Sequence, residues 1–166
     1  NSIWNVSPTE SDIASRTSKY HAEFHRRLGS ELNRVREIHG AVILFDCHSI
    51  RSNIPHLFDG RLPDLNIGTF NGTTCANAIE ESVVGNCEHA QGYTAVLNGR
   101  FKGGWTTRHY GDPDGNVHAI QLELAQSTYL ESETTPFNYG ESKANRLRVV
   151  LRSILESLVS VFDVEI

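Results

Sequence analysis

The chain has 166 residues, of which 39% are hydrophobic and 21% charged, a balance that fits a folded domain and excludes a disordered tail. Fifteen basic and twenty acidic residues leave a net charge of -5, which argues against a general nucleic-acid binder. No apolar run approaches the ~20 residues of a membrane span, so no membrane partner is expected. The three cysteines, Cys47, Cys75 and Cys87, form no disulfide framework and no CxxC knuckle. They read as reduced, packed thiols of a cytoplasmic protein. The chain begins at Asn1 and contains no Met, and is therefore expected to be a fragment or a processed chain.

Ser7-Pro8-Thr9-Glu10 predicts a helix start, with Ser7 as N-cap, Pro8 at the first helical position and Glu10 completing a capping box. Apolar residues follow at Ile13, Tyr20, Phe24, Leu28, Leu32, Val35 and Ile38, the spacing of one inward face of a long helix. Gly40 is placed to end it. The solid run Ala41–Phe45 predicts a strand buried on both faces, of the parallel-sheet type. Asp46, His48, Ser49 and Arg51 would then follow the strand's end. A short strand is expected near Leu65–Phe70, a helix over Cys75–Glu88 with Ile79 and Val83 inward, and a strand over Tyr93–Leu97. Residues 98–116 carry five glycines and one proline, which predicts a long functional loop. Val117–Leu124 reads as the third good strand. A helix is expected over 141–163, with Ala144, Leu147, Leu151, Ile154, Leu158 and Val161 inward. Helices alternating with buried strands give the α/β class and one domain over 1–166.

In open α/β sheets ligands bind beyond the carboxyl ends of strands, and three polar sets are expected at such ends. Asp46 and His48 are two residues apart, so in an extended chain they share a face. A carboxylate beside an imidazole suits a metal-bound His, and it equally suits a strand-end His tied to a loop. Glu123 lies inside an apolar strand. Burial would raise its pKa toward the range a general base needs, whereas an edge position would leave it facing solvent, with Gln121 on the same face. The loop that holds Asn98, Arg100, Lys102, Arg108 and His109 sets cations among glycines, a composition that can grip carboxylates or phosphates.

Five ordered motifs carry a resemblance: Leu44-Phe45-Asp46-Cys47-His48-Ser49-Ile50-Arg51-Ser52, the run Leu57–Thr69 with Asp59-Gly60-Arg61-Leu62-Pro63-Asp64-Leu65-Asn66, Asn98-Gly99-Arg100-Phe101-Lys102-Gly103-Gly104, Thr107-Arg108-His109-Tyr110-Gly111, and Ile120-Gln121-Leu122-Glu123-Leu124-Ala125-Gln126. Together they resemble the N-formylglutamate amidohydrolases, also called N-formylglutamate deformylases, over nearly the whole chain. The resemblance implies a mixed, largely parallel sheet flanked by helices, similar to zinc carboxypeptidases and the aspartoacylase group (a phosphorylase/hydrolase-like fold). It implies a cytoplasmic hydrolase that releases formate and L-glutamate from N-formyl-L-glutamate in histidine degradation. It also implies a bound zinc, or another divalent metal, with His48 matching the last ligand, Asp46 behind it and Glu123 matching the catalytic carboxylate. The family's other ligands, a Pro-His-x-Gly motif and a following acidic residue, are absent here. The chain therefore reads as the C-terminal portion of a catalytic domain, with the other ligands upstream and no turnover alone. Arg51, Arg100 and Arg108 are the candidates to clamp the substrate's two carboxylates, with His109 and Asn98 helping to orient it. The alternatives are a deacylase of another N-acyl amino acid, or a fragment that binds dicarboxylates without chemistry. The partner implied is a small molecule; oligomeric state is left open.

Overall fold

A computed structural model describes residues 4–162. The chain divides into two compact units, Asn1–Val42 and Ile43–Ile166.

The first unit is helical. Helix α1 (Glu10–Arg16) and helix α2 (Glu23–His39) are joined by a π-helical stretch, Thr17–Ala22. The capping box is present but shifted by two residues from the expected one. Thr9 is the N-cap; its Oγ1 accepts from Asp12 N–H at 3.1 Å while Asp12 Oδ2 accepts from Thr9 N–H at 2.9 Å. Thr9 is the next hydroxyl with an acid three residues on, and its extended backbone fits the N-cap role. Gly40 closes α2 in the left-handed region at φ 80, as expected. Ile13, Tyr20, Phe24 and Ile38 were expected inward and are exposed. The π-helical turns between α1 and α2 change the residue count per turn, so Ile13 does not stay on the line of Leu28 and Leu32; Phe24 and Ile38 lie at the two ends of α2, where no described residue buries them.

The second unit carries a four-stranded sheet in the order β1-β4-β2-β3, with β1 at Val42–Ile50, β2 at Leu65–Gly68, β3 at Ala95–Leu97 and β4 at Val117–Ala125. Strand β2 runs parallel to β3 and antiparallel to β4, so the sheet is mixed. Helices α3 (Asn77–Glu88) and α5 (Glu141–Ser160) pack beside it. Their buried Ile79, Val83, Cys87, Leu147, Ile154 and Leu158 form one core with Leu65, Ile67, Ile120 and Leu122 of the two central strands. Residues alternate along a strand. Leu65 and Ile67 of β2 and Ile120, Leu122 and Leu124 of β4 therefore face this core, and Asn66, Gly68, Gln121 and Glu123 belong to the other face.

Two expectations for β1 are corrected. It is an edge strand, mostly half-buried rather than buried on both faces. It also continues to Ile50, so Asp46, His48 and Ser49 lie in the strand instead of after it. The apolar run ends at Phe45, but strand alternation continues because Asp46 and His48 fall on one face and Cys47 on the other. Cys47 is exposed, whereas Cys75 and Cys87 are buried free thiols, both pushed up to about 12 first of all by burial. The loop after β3 contains a short helix, α4 (Trp105–Tyr110), which sequence spacing did not reveal.

Candidate active site

The loop after β3 is held onto the polar face of the sheet. Asn98 N–H donates to Ile67 O at 2.7 Å, and Phe70 N–H donates to Lys102 O at 2.6 Å. The Asn98 carboxamide accepts from Thr69 N–H at 3.0 Å and donates to Thr69 Oγ1 at 2.8 Å. Gly68 permits this approach. A Cβ there would stand 2.7 Å from Lys102 C and 3.0 Å from Gly103 Cα, closer than real contacts allow.

The result is a cleft of about 330 Å³ lined by Asp46, His48, Gln121 and Glu123 from the strands and by residues 100–106 from the loop and the start of α4. A larger cavity of about 760 Å³ lies between α3 and α5, but it gathers none of the polar strand-face groups. We take the smaller cleft as the site because the buried carboxylate and the His–Asp pair are there.

Glu123 stands opposite Asn66 in the β2–β4 ladder and is 6% exposed. Burial raises its carboxyl above the ordinary 4.5; nearby His48 acts to lower it and Asp46 to raise it. His48 Nε2 lies 3.0 Å from Asp46 Oδ1, which leaves Nδ1 as the ring nitrogen for a further partner. Thr107, fully buried in α4, places its Oγ1 at 3.5 Å from Asp46 Oδ2. Gln121 Oε1 accepts from Gly104 N–H at 2.7 Å.

The structure thus brings Asp46, His48, Arg100, Lys102 and Glu123 together and places Arg51, Asn98, Arg108 and His109 outside the cleft lining. Arg100 also lies over the Phe58 ring at 5.6 Å. Arg108 lies over Phe70 at 5.1 Å, and His109 stacks on Trp105 at 4.1 Å. Arg51 is exposed just past β1. Asn98 uses both ends of its amide on Thr69. Asn66 and Gly68 were not singled out from sequence. A polar residue and a glycine interrupting the short apolar strand 65–68 were the available signal.

Among the described residues, no group of three or more His, Cys, Asp or Glu side chains is placed to hold a metal ion. A catalytic zinc takes three protein ligands and an open position. His48 offers one imidazole, so the residues present do not make a metal centre by themselves.

A sequence model of the family N-formylglutamate amidohydrolase matches residues 1–130. The chain belongs to this family. It is 57% identical over 137 residues to the N-formylglutamate deformylase of Pseudomonas putida and 52% identical over 137 residues to that of Pseudomonas aeruginosa. Each match covers 82% of this chain and 51% of the relative, so the chain spans about half the length of these deformylases. The fold is similar to the crystal structure of the N-formylglutamate amidohydrolase from Ralstonia eutropha JMP134, with a TM-score of 0.79 at 22% identity, over 93% of this chain and 57% of that one.

Proposed function

We propose that the whole protein hydrolyses N-formyl-L-glutamate to formate and L-glutamate, the closing step of a histidine degradation route, in the cytoplasm. The observation that carries this reading is Glu123. In a chain of the amidohydrolase family, its buried carboxylate with a raised pKa lines the same cleft as His48, Asp46 and Arg100.

In this reading Glu123 accepts a proton from the attacking water and returns it to the departing amine, work for which a buried carboxyl with a raised pKa is suited. Asp46 fixes the His48 ring through Nε2. Arg100 and Lys102 line the cleft and balance the charge of a dianionic substrate. Arg51, Arg108, His109 and Asn98 remain candidates for the outer end of the substrate, although Arg100 is better placed. We further propose that the whole protein uses a divalent metal, zinc first. His48 would be one ligand, the remaining ligands would come from the rest of the protein, and the metal would supply Lewis-acid polarisation of the formyl group.

Formate release by the full-length protein is the test. N-formylglutamate is expected to be hydrolysed in preference to N-acetylglutamate. Preferential hydrolysis of the acetyl compound would favour a deacylase of another N-acyl amino acid. Dicarboxylate binding with no hydrolysis of either would favour a binding protein.

A further inference from the structure

Gln121 precedes Glu123 by two residues in β4, so the two side chains share one face of the sheet. It is 4% exposed and still lines the cleft. A carboxamide has an acceptor end and a donor end. Gly104 N–H can be met only by the acceptor, so the 2.7 Å contact fixes which way round the amide stands. Nε2, with its two protons, is the other end. Among the described residues it donates to no protein acceptor, and it is not one of the buried side-chain atoms left without a partner, a description that fits Asn66 Oδ1. Nε2 is therefore open to the cleft. Gly68, the residue opposite Gln121 in the ladder, presents no side chain that could use these protons.

We propose that Gln121 is a substrate-binding residue whose Nε2 donates to the side-chain carboxylate of the N-formyl amino acid while Glu123 works at the formyl group. The assignment rests on the deformylase reading above. Residues two apart on a strand are separated by about 6.6 Å, comparable to the span of the glutamate skeleton from its formyl carbon to its side-chain carboxylate. One residue therefore meets each end of the substrate. A neutral amide suits this buried position, where another charge would be costly. A buried donor aimed at a substrate oxygen also rejects an analogue that lacks that oxygen, because the donor is then left unpaired.

The test uses the full-length protein with Gln121→Glu and Gln121→Met, assayed on N-formylglutamate and on N-formylnorvaline, in which a methyl replaces the side-chain carboxylate. Gln121→Glu keeps an acceptor for Gly104 N–H but exchanges the donor for a charge, whereas Gln121→Met removes the donor without adding one, so a KM effect shared by both variants reports the donor; thermal unfolding checks that both are folded. The expected result is a KM for N-formylglutamate raised about ten-fold or more, with kcat within a few-fold and the preference over N-formylnorvaline reduced. Unchanged KM and preference would overturn the proposal, as would a loss confined to kcat, which would put the amide at the reacting carbon. A wild-type protein that releases no formate overturns the deformylase reading itself; an active wild type with unaffected variants overturns only the role of Gln121.

Discussion

Asn66 and Glu123 stand opposite one another in the β2–β4 ladder, and the Asn66 side chain ties the two strands by donating to Glu123 O at 3.0 Å and to Pro63 O at 2.7 Å. Asn66 is 1% exposed, and its Oδ1 has no partner. Asn66→Ala leaves two carbonyls without this donor. It is expected to cost about 1–3 kcal/mol, read as a lower urea midpoint at unchanged slope. A midpoint equal to wild type would show that the amide does not hold β4 in place.

The raised pKa of Glu123 has a consequence for stability. Between its ordinary value of 4.5 and its higher value in the fold, the folded state holds a proton that the unfolded chain has released. Stability from this group is thus fully present below about pH 4.5 and is lost as pH rises through the folded pKa. Glu123→Gln removes that dependence. Thermal unfolding of both proteins across this range is expected to show wild type falling relative to the variant toward neutral pH. Parallel curves would mean that burial does not disfavour the Glu123 carboxylate.

Gly68→Ala puts a methyl against the backbone of Lys102 and Gly103, which has no rotamer by which to yield. The loop must lift, taking Arg100 with it. We expect about 1–3 kcal/mol of destabilisation together with a higher KM for N-formylglutamate in the full-length protein. Normal kinetics would show that the loop's seat on β2 does not set the cleft.

Asp46→Asn exchanges a charged partner of His48 Nε2 for a neutral one. If His48 ligates a metal in the whole protein, the loss of this carboxylate should weaken metal affinity by about ten- to a hundred-fold. Competition against a chelator of known affinity measures it. Equal affinities would remove Asp46 from the metal's support.

The elements most legible in the sequence were those with strong apolar pattern. Strand β4, α3 with Ile79 and Val83, and α5 with Ala144, Leu147, Ile154 and Leu158 buried all form where periodicity put them. The edge position of β1 was not legible, because Val42–Phe45 is as apolar as a buried strand and nothing local records its neighbours. Glu123 and the Asp46–His48 pair stood out because charge in an apolar strand and alternation along a chain are local signals. The convergence of Gln121, Gly104 and Arg100 was hidden, since it depends on the loop after β3 folding back over Gly68, a contact between segments far apart in the chain. For the same reason α4 was read as loop. Its six residues are too short to show a period, and the group beside its buried Thr107, Asp46, lies outside the segment.

The central claim is that Glu123 performs proton transfer in hydrolysis of the formyl amide. Its most direct test is steady-state formate release by the full-length protein carrying Glu123→Gln, with folding and metal content measured on the same sample. The amide keeps the size of the carboxyl but cannot take a proton, so turnover is expected to fall by about 10²–10⁴-fold with fold and metal retained. Turnover within a few-fold of wild type would contradict the account and leave Glu123 as a structural residue of β4.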